Sequence, residues 1–228
     1  MQLNTSLIEL GTAVTNIPLA VTSLIAVVLL RRRRSVHTFK AWLWIGVFGS
    51  LAIAASLGVI VHGLEPQYGT DKLLWHPLNA ALALMLACFA AGAVLDRWGA
   101  CAARRTLPGW LFLSAGFFLY TTFMTESFLP FDIYEGIIMV FCLGIYAPLA
   151  FQSRFAGAAW MAGGVAITIL AAVVQAAGLG HFTLVVAFDH NAVFHLVQLP
   201  GLVCLLIGLR QDLKPGAMVC GTARNPCP

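Results

Sequence analysis

The chain has 228 residues, 60% of them hydrophobic and only 10% charged. A water-soluble domain carries about 25% charged residues, so this composition excludes an ordinary soluble globule and defines an integral membrane protein. The net charge is +4, but the basic residues cluster in short connecting segments, which marks topology rather than a nucleic-acid surface, and no nucleic-acid partner is expected.

Crossing about 30 Å of hydrocarbon takes roughly 20 apolar residues as a helix. Seven runs qualify, at about 7–30, 41–64, 74–95, 108–125, 131–152, 156–178 and 189–209. The positive block Arg31 to Arg34 follows the first run instead of preceding it, so that run reads as a retained helix and not a cleaved signal. Pro108 and Gly109 open the fourth run, and Thr121, Thr122, Thr125 and Glu126 make its last turns polar. Within the seventh, Pro200 and Gly201 predict a kink. Residues 1–214 are thus expected to form one all-α, polytopic, seven-helix transmembrane domain, followed by a disordered tail over 215–228.

The connections set the orientation. Arg31 to Arg34 with Lys40, then Arg97, Arg104 and Arg105, then Arg154, then Arg210 and Lys214 follow alternate helices, whereas the intervening loops hold mostly acidic residues. By the positive-inside rule the N-terminus lies outside and the C-terminus is cytoplasmic, as in a multi-pass protein of the inner or plasma membrane. Trp42, Trp44, Trp75, Trp98 and Trp110 fall near predicted helix ends and read as interfacial anchors. The six cysteines show no CxxC spacing and indicate neither a disulfide framework nor a thiolate metal site.

Residues 188–200 carry the main polar stripe. Asn191, His195 and Gln198 fall at i, i+4 and i+7 and share one face of a helix. Polar side chains facing hydrocarbon unpaired cost several kcal/mol each, so the stripe points into the bundle. With the orientation set, His62, Glu65, His76, Asn79, Tyr120, Glu126, Asp132, Glu135, Gln175, His181, Asp189, His190 and His195 all lie in the outer half, and only His37 among the histidines lies on the inner side. Lys40, Lys72 and Lys214 sit in loops or at boundaries, which excludes a retinal Schiff base. The inner half lacks the histidine pair that a two-haem carrier needs.

Imidazoles from several helices can meet on one metal ion, with zinc the expected metal. His62 and His195 are the first ligand candidates, His76 and His190 compete for the third place, and an interhelical hydrogen bond is the bland alternative for the first pair. Glu135 is the carboxylate suited to general acid or base work. Asp189, before the last apolar run, reads as a helix N-cap or as a catalytic acid. Asn79, Asn191 and Gln198 would orient water, substrate or a lipid head group.

These residues resemble, residue by residue, the alkaline ceramidase and adiponectin-receptor superfamily of seven-helix membrane hydrolases. That family places Ser-x-x-x-His on helix 2, an aspartate near helix 3 and His-x-x-x-His on helix 7, with the three histidines holding zinc. His62 in Gly-Val-Ile-Val-His and His195 in Asn-Ala-Val-Phe-His match. Gly58 stands where the family has serine, Asn191 where it has the first helix 7 histidine, and His76 and Asn79 where an aspartate is expected. The resemblance implies the seven-helix fold, N-out and C-in, and a zinc-dependent hydrolase acting on a ceramide-like lipid amide or ester, with membrane lipids as surroundings and substrate. Its departures imply either a rearranged metal site using His76 or His190, or a non-enzymatic receptor or lipid-binding protein that keeps the fold.

Overall fold

Apolar stretches of this length satisfy their backbone in lipid by coiling into helices. The structure, a computed structural model, describes residues 3–33, 38–65, 70–124, 129–178, 182–183 and 187–213. It is all-α apart from one two-residue strand pair: α1 (Leu7–Arg33), α2 (Thr38–Gly63), α3 (Thr70–Phe123), α4 (Leu129–Phe151), α5 (Ala158–Ala176), β1 (Phe182–Thr183) antiparallel to β2 (Ala187–Phe188), and α6 (His190–Asp212). All six helices are long and apolar enough to cross a membrane. The expected tail over 215–228, with His37, Glu126 and His181, lies outside the described residues.

The largest departure from the sequence reading is at α3. The connection expected between the third and fourth runs is helical, because Ala and Arg dominate 101–105 and both favour helix. A straight helix of its 54 residues would measure about 81 Å, far beyond one bilayer. Gly99 breaks it, with φ 85° and ψ 175°, a conformation that glycine adopts and other residues rarely do. Pro108 lies inside the second arm instead of opening a helix.

Packing on either side of Gly99 fixes the course of the two arms. In the first, Cys88 meets Gly46, Phe89 sets a ring edge on Trp44 at 4.9 Å, and Asp96 pairs with Lys40, so 70–98 runs antiparallel to α2. In the second, Trp110 packs on Phe141 at 5.2 Å, and Phe117 stacks on Tyr134 at 4.5 Å, so 100–123 runs antiparallel to α4. Since Tyr146 late in α4 bonds Asp96 at 3.0 Å, the arms point in opposite directions and α3 doubles back at Gly99.

The helices form a closed ring, each packed on its neighbour in the chain and α6 packed on α1. Trp44, Phe48, Leu86, Ile138, Met139, Tyr146, Met161 and Leu205 fill its centre. The outer surface is apolar, with Phe151 90% exposed. α1 has the polarity of a membrane helix: Val14, Ile17, Val21, Leu24 and Val28 face outward, while Thr12, Thr15, Asn16 and Ser23 are buried.

Trp44 is fully buried in the core, so it is not an interfacial anchor; Trp42 and Trp98 remain exposed. Lys40 is likewise no solvated loop charge. It lies in the first turn of α2, 6% exposed, bonded to Asp96 and, at 2.7 Å, to Asp212, with its Nζ 4.9 Å from the Phe155 ring centre. Two carboxylates compensate one buried ammonium, and the cluster ties α2, α3 and α6 together at the end of the bundle opposite His62. α6 continues through Pro200 and Gly201 as one helix. Cys88, Cys142 and Cys204 are free thiols, whereas Cys101 is disulfide-bonded, which its spacing did not indicate.

Candidate functional site

At the other end the ring encloses a cavity of about 420 Å³. Its polar wall includes Thr12 and Asn16 from α1, His62 from α2, Asp132 and Glu135 from α4, Gln175 from α5, and His190, Asn191, His195 and Gln198 from α6. Trp75, Phe131 and Phe194 add aromatic surface; Leu19, Leu51, Leu82 and Met85 form the apolar floor. Of the residues expected to act, His62, Glu135, His190, Asn191, His195 and Gln198 therefore share one site. His76 and Asn79, half-buried in the first turns of α3, are not among its lining residues, and neither is Asp189.

Asp189 caps α6. Its Oδ1 accepts from the Ala192 amide at 2.9 Å and from the Thr12 hydroxyl at 3.1 Å, and its Oδ2 accepts from Asn191 Nδ2 at 3.1 Å. Oδ1 thus caps the helix and ties its start to α1, while Oδ2 holds the Asn191 side chain. The carboxylate also fixes a chain of polarity. Asn191 must turn its amide nitrogen to Asp189, which leaves its Oδ1 to accept from Gln175 Nε2 at 2.9 Å. Gln175 is thereby oriented with its amide nitrogen toward Asn191, and its carbonyl oxygen is buried without a partner.

The two histidines are held in the same fashion. His62 Nδ1 lies 2.7 Å from Glu9 Oε2 and donates to it, and its ring stands edge-on to Trp75 at 5.7 Å. His195 Nδ1 lies 3.0 Å from Thr15 Oγ1. The single hydroxyl proton of Thr15 is directed to the Gly11 and Thr12 carbonyls, so Oγ1 accepts and His195 carries its proton on Nδ1. Each imidazole, when neutral, keeps Nε2 as a lone pair. The rings lie within electrostatic reach of one another.

An oxygen on Nδ1 is the arrangement that orients a histidine ligand for a metal. A zinc site nevertheless needs three or four protein ligands, and among the described residues no group of three or more His, Cys, Asp or Glu could hold a metal ion. Among the described residues the pair thus has no third ligand beside it. Gly58 explains part of the departure from the hydrolase pattern, since a Cβ there would stand 3.0 Å from the Asn16 amide, which fills the space a serine would use.

Glu9, Thr12, Thr15, Asn16, Asp132 and Gln175 belong to the site or its support without having been singled out from the sequence as site residues, and Trp75, expected only as an interfacial anchor, lines the cavity. The signal was there in α1: Glu9, Thr12 and Asn16 fall at i, i+3 and i+7, the same one-face spacing as the stripe in α6.

A ring of membrane-length helices around a polar, partly aromatic cavity defines the class of a multi-pass membrane protein. The chain belongs to the family described as a family of unknown function (DUF6962), whose model matches residues 11–214. No curated protein and no solved structure matches it.

Proposed function

We propose that this protein is a non-enzymatic membrane module, a receptor or carrier, that binds a small molecule or lipid-derived ligand in the cavity lined by α1, α2, α3, α4, α5 and α6. The observation that carries this reading is a half-open cavity of about 420 Å³, within the size range of small-molecule sites, with polar groups drawn from five helices and apolar surface between them. In this reading α3 crosses the membrane twice, the chain spans seven times with its N-terminus outside, and the cavity opens toward the outer face of the inner or plasma membrane.

Mass spectrometry of organic extracts from the purified protein tests it. Ala176 lines the cavity from an exposed position at the end of α5, so Ala176→Trp narrows the entrance without disturbing the core. The expected result is a co-purifying molecule at about one per chain in the parent and at most a tenth of that in Ala176→Trp; equal recovery from both would overturn the reading.

A second reading, a zinc-dependent hydrolase of lipid amides or esters related to the ceramidase and adiponectin-receptor superfamily, is favoured by His62 and His195 facing one cavity with Nδ1 of each held by oxygen. It requires a third ligand that the described residues do not bring to the pair. Elemental analysis of the same preparation decides: one zinc per chain, lost in His195→Ala, would restore it.

A further inference from the structure

The cavity wall has a definite hydrogen-bonding polarity. Gln175, 8% exposed, presents its carbonyl oxygen because Asp189 and Asn191 commit its amide nitrogen. Glu135 is 1% exposed, and its Oε2 has no partner; neither has the buried Oδ1 of Asp132, one turn earlier on the same face of α4. His62 and His195 add the lone pairs of Nε2. Among the described side chains no Lys or Arg lines the cavity. The fully buried side-chain atoms of these lining residues that lack a partner, Glu135 Oε2, Asp132 Oδ1 and Gln175 Oε1, are all oxygens, and a buried acceptor left unpaired is costly.

What completes such a wall must bring donors and, facing two carboxyl groups, positive charge. A bare metal ion needs its ligands gathered within about 2 Å, and these are not so gathered. An organic cation spreads its N–H groups over a wider area and also has hydrocarbon to lay on Leu51, Leu82 and Met85 and a charge to set against aromatic rings such as Trp75 and Phe131. Resting on the ligand-binding reading above, we propose that the cavity takes an organic amine as its ammonium ion, with N–H groups received by Glu135, Asp132 and Gln175 and the hydrocarbon part on the leucine and methionine floor.

Titration calorimetry on the full chain in detergent, with cyclohexylammonium, cyclohexanol, cyclohexanecarboxylate and zinc sulfate as separate probes, tests this. The ammonium should bind at least tenfold more tightly than the alcohol, and the carboxylate should not bind. Glu135→Gln, which turns an acceptor into a donor, should weaken the ammonium at least tenfold without a change in melting temperature; Asp132→Asn serves the same purpose should the first variant not fold. Ala176→Trp should reduce binding of the ammonium. Alcohol or carboxylate binding as tightly as the ammonium, blocked by Ala176→Trp, would overturn the amine assignment and leave the ligand-binding reading standing. Tight zinc binding with no organic probe bound would overturn both.

Discussion

At the scale of single residues the site depends on Asp189, which faces no ligand. Its carboxylate caps α6, grips Thr12 and sets the orientation of Asn191 and hence of Gln175. Asp189→Ala should therefore lower stability by about 1–2 kcal/mol, the cost of a lost N-cap, and calorimetric melts in detergent would read it as a fall in melting temperature. Loss of ligand in a variant that still melts cooperatively would mark the orienting role apart from the cap. Part of this was legible in the sequence. An aspartate before an apolar helix reads as a cap, and the spacing of Asn191, His195 and Gln198 puts them on one face, where all three line the cavity. The partners were not legible: Thr12 lies 177 residues from Asp189, and Thr15 lies 180 from His195. A threonine in an apolar helix ordinarily bonds its own preceding turn, as Thr15 also does, so its type alone does not point to a site.

At the scale of elements, α5 and α6 approach at matched glycines. Gly157 lies against Gly208, and Gly164 against Gly201, each pair seven residues apart along its helix. A Cβ on Gly157 would stand 2.0 Å from the Gly208 carbonyl oxygen, whereas one on Gly163 would meet nothing within 4 Å. Gly157→Ala should cost about 1–3 kcal/mol by forcing the helices apart, and Gly163→Ala should gain up to about 1 kcal/mol from helix propensity. Parallel thermal melts check the pair; equal shifts would remove the close-approach argument. Gly201, beside Pro200, thus serves contact with α5. The apolar runs were readable because length and hydropathy alone define them. The helical course through 100–107 was not, since arginines there read as a loop until Arg104 is seen packed over the Phe39 ring at 4.9 Å.

At the scale of the whole molecule, the doubling back of α3 has a direct test. Residues 65 and 124 should report the same side of the membrane if α3 forms a hairpin about Gly99, and opposite sides if it crosses once. A reporter fluorescent only in the cytoplasm, fused after residue 65, after 124 or after 213, should be dark, dark and bright. Positive-inside reasoning gives an expected orientation from Arg31 to Arg34 and Arg104 to Arg105, which the third fusion checks, but Gly99 is one glycine among 21 and carries no mark of its own in the sequence. Closure of the ring also orders the birth of the protein. The polar face of α1 enters the membrane first, and its partners Asp189 and His195 arrive with the last helix, so nearly the whole chain must be synthesised before Thr12 and Thr15 gain their interhelical partners. Until α6 docks, the part of that face that α2 does not cover lacks its partners, a mark by which an unfinished chain differs from a finished one.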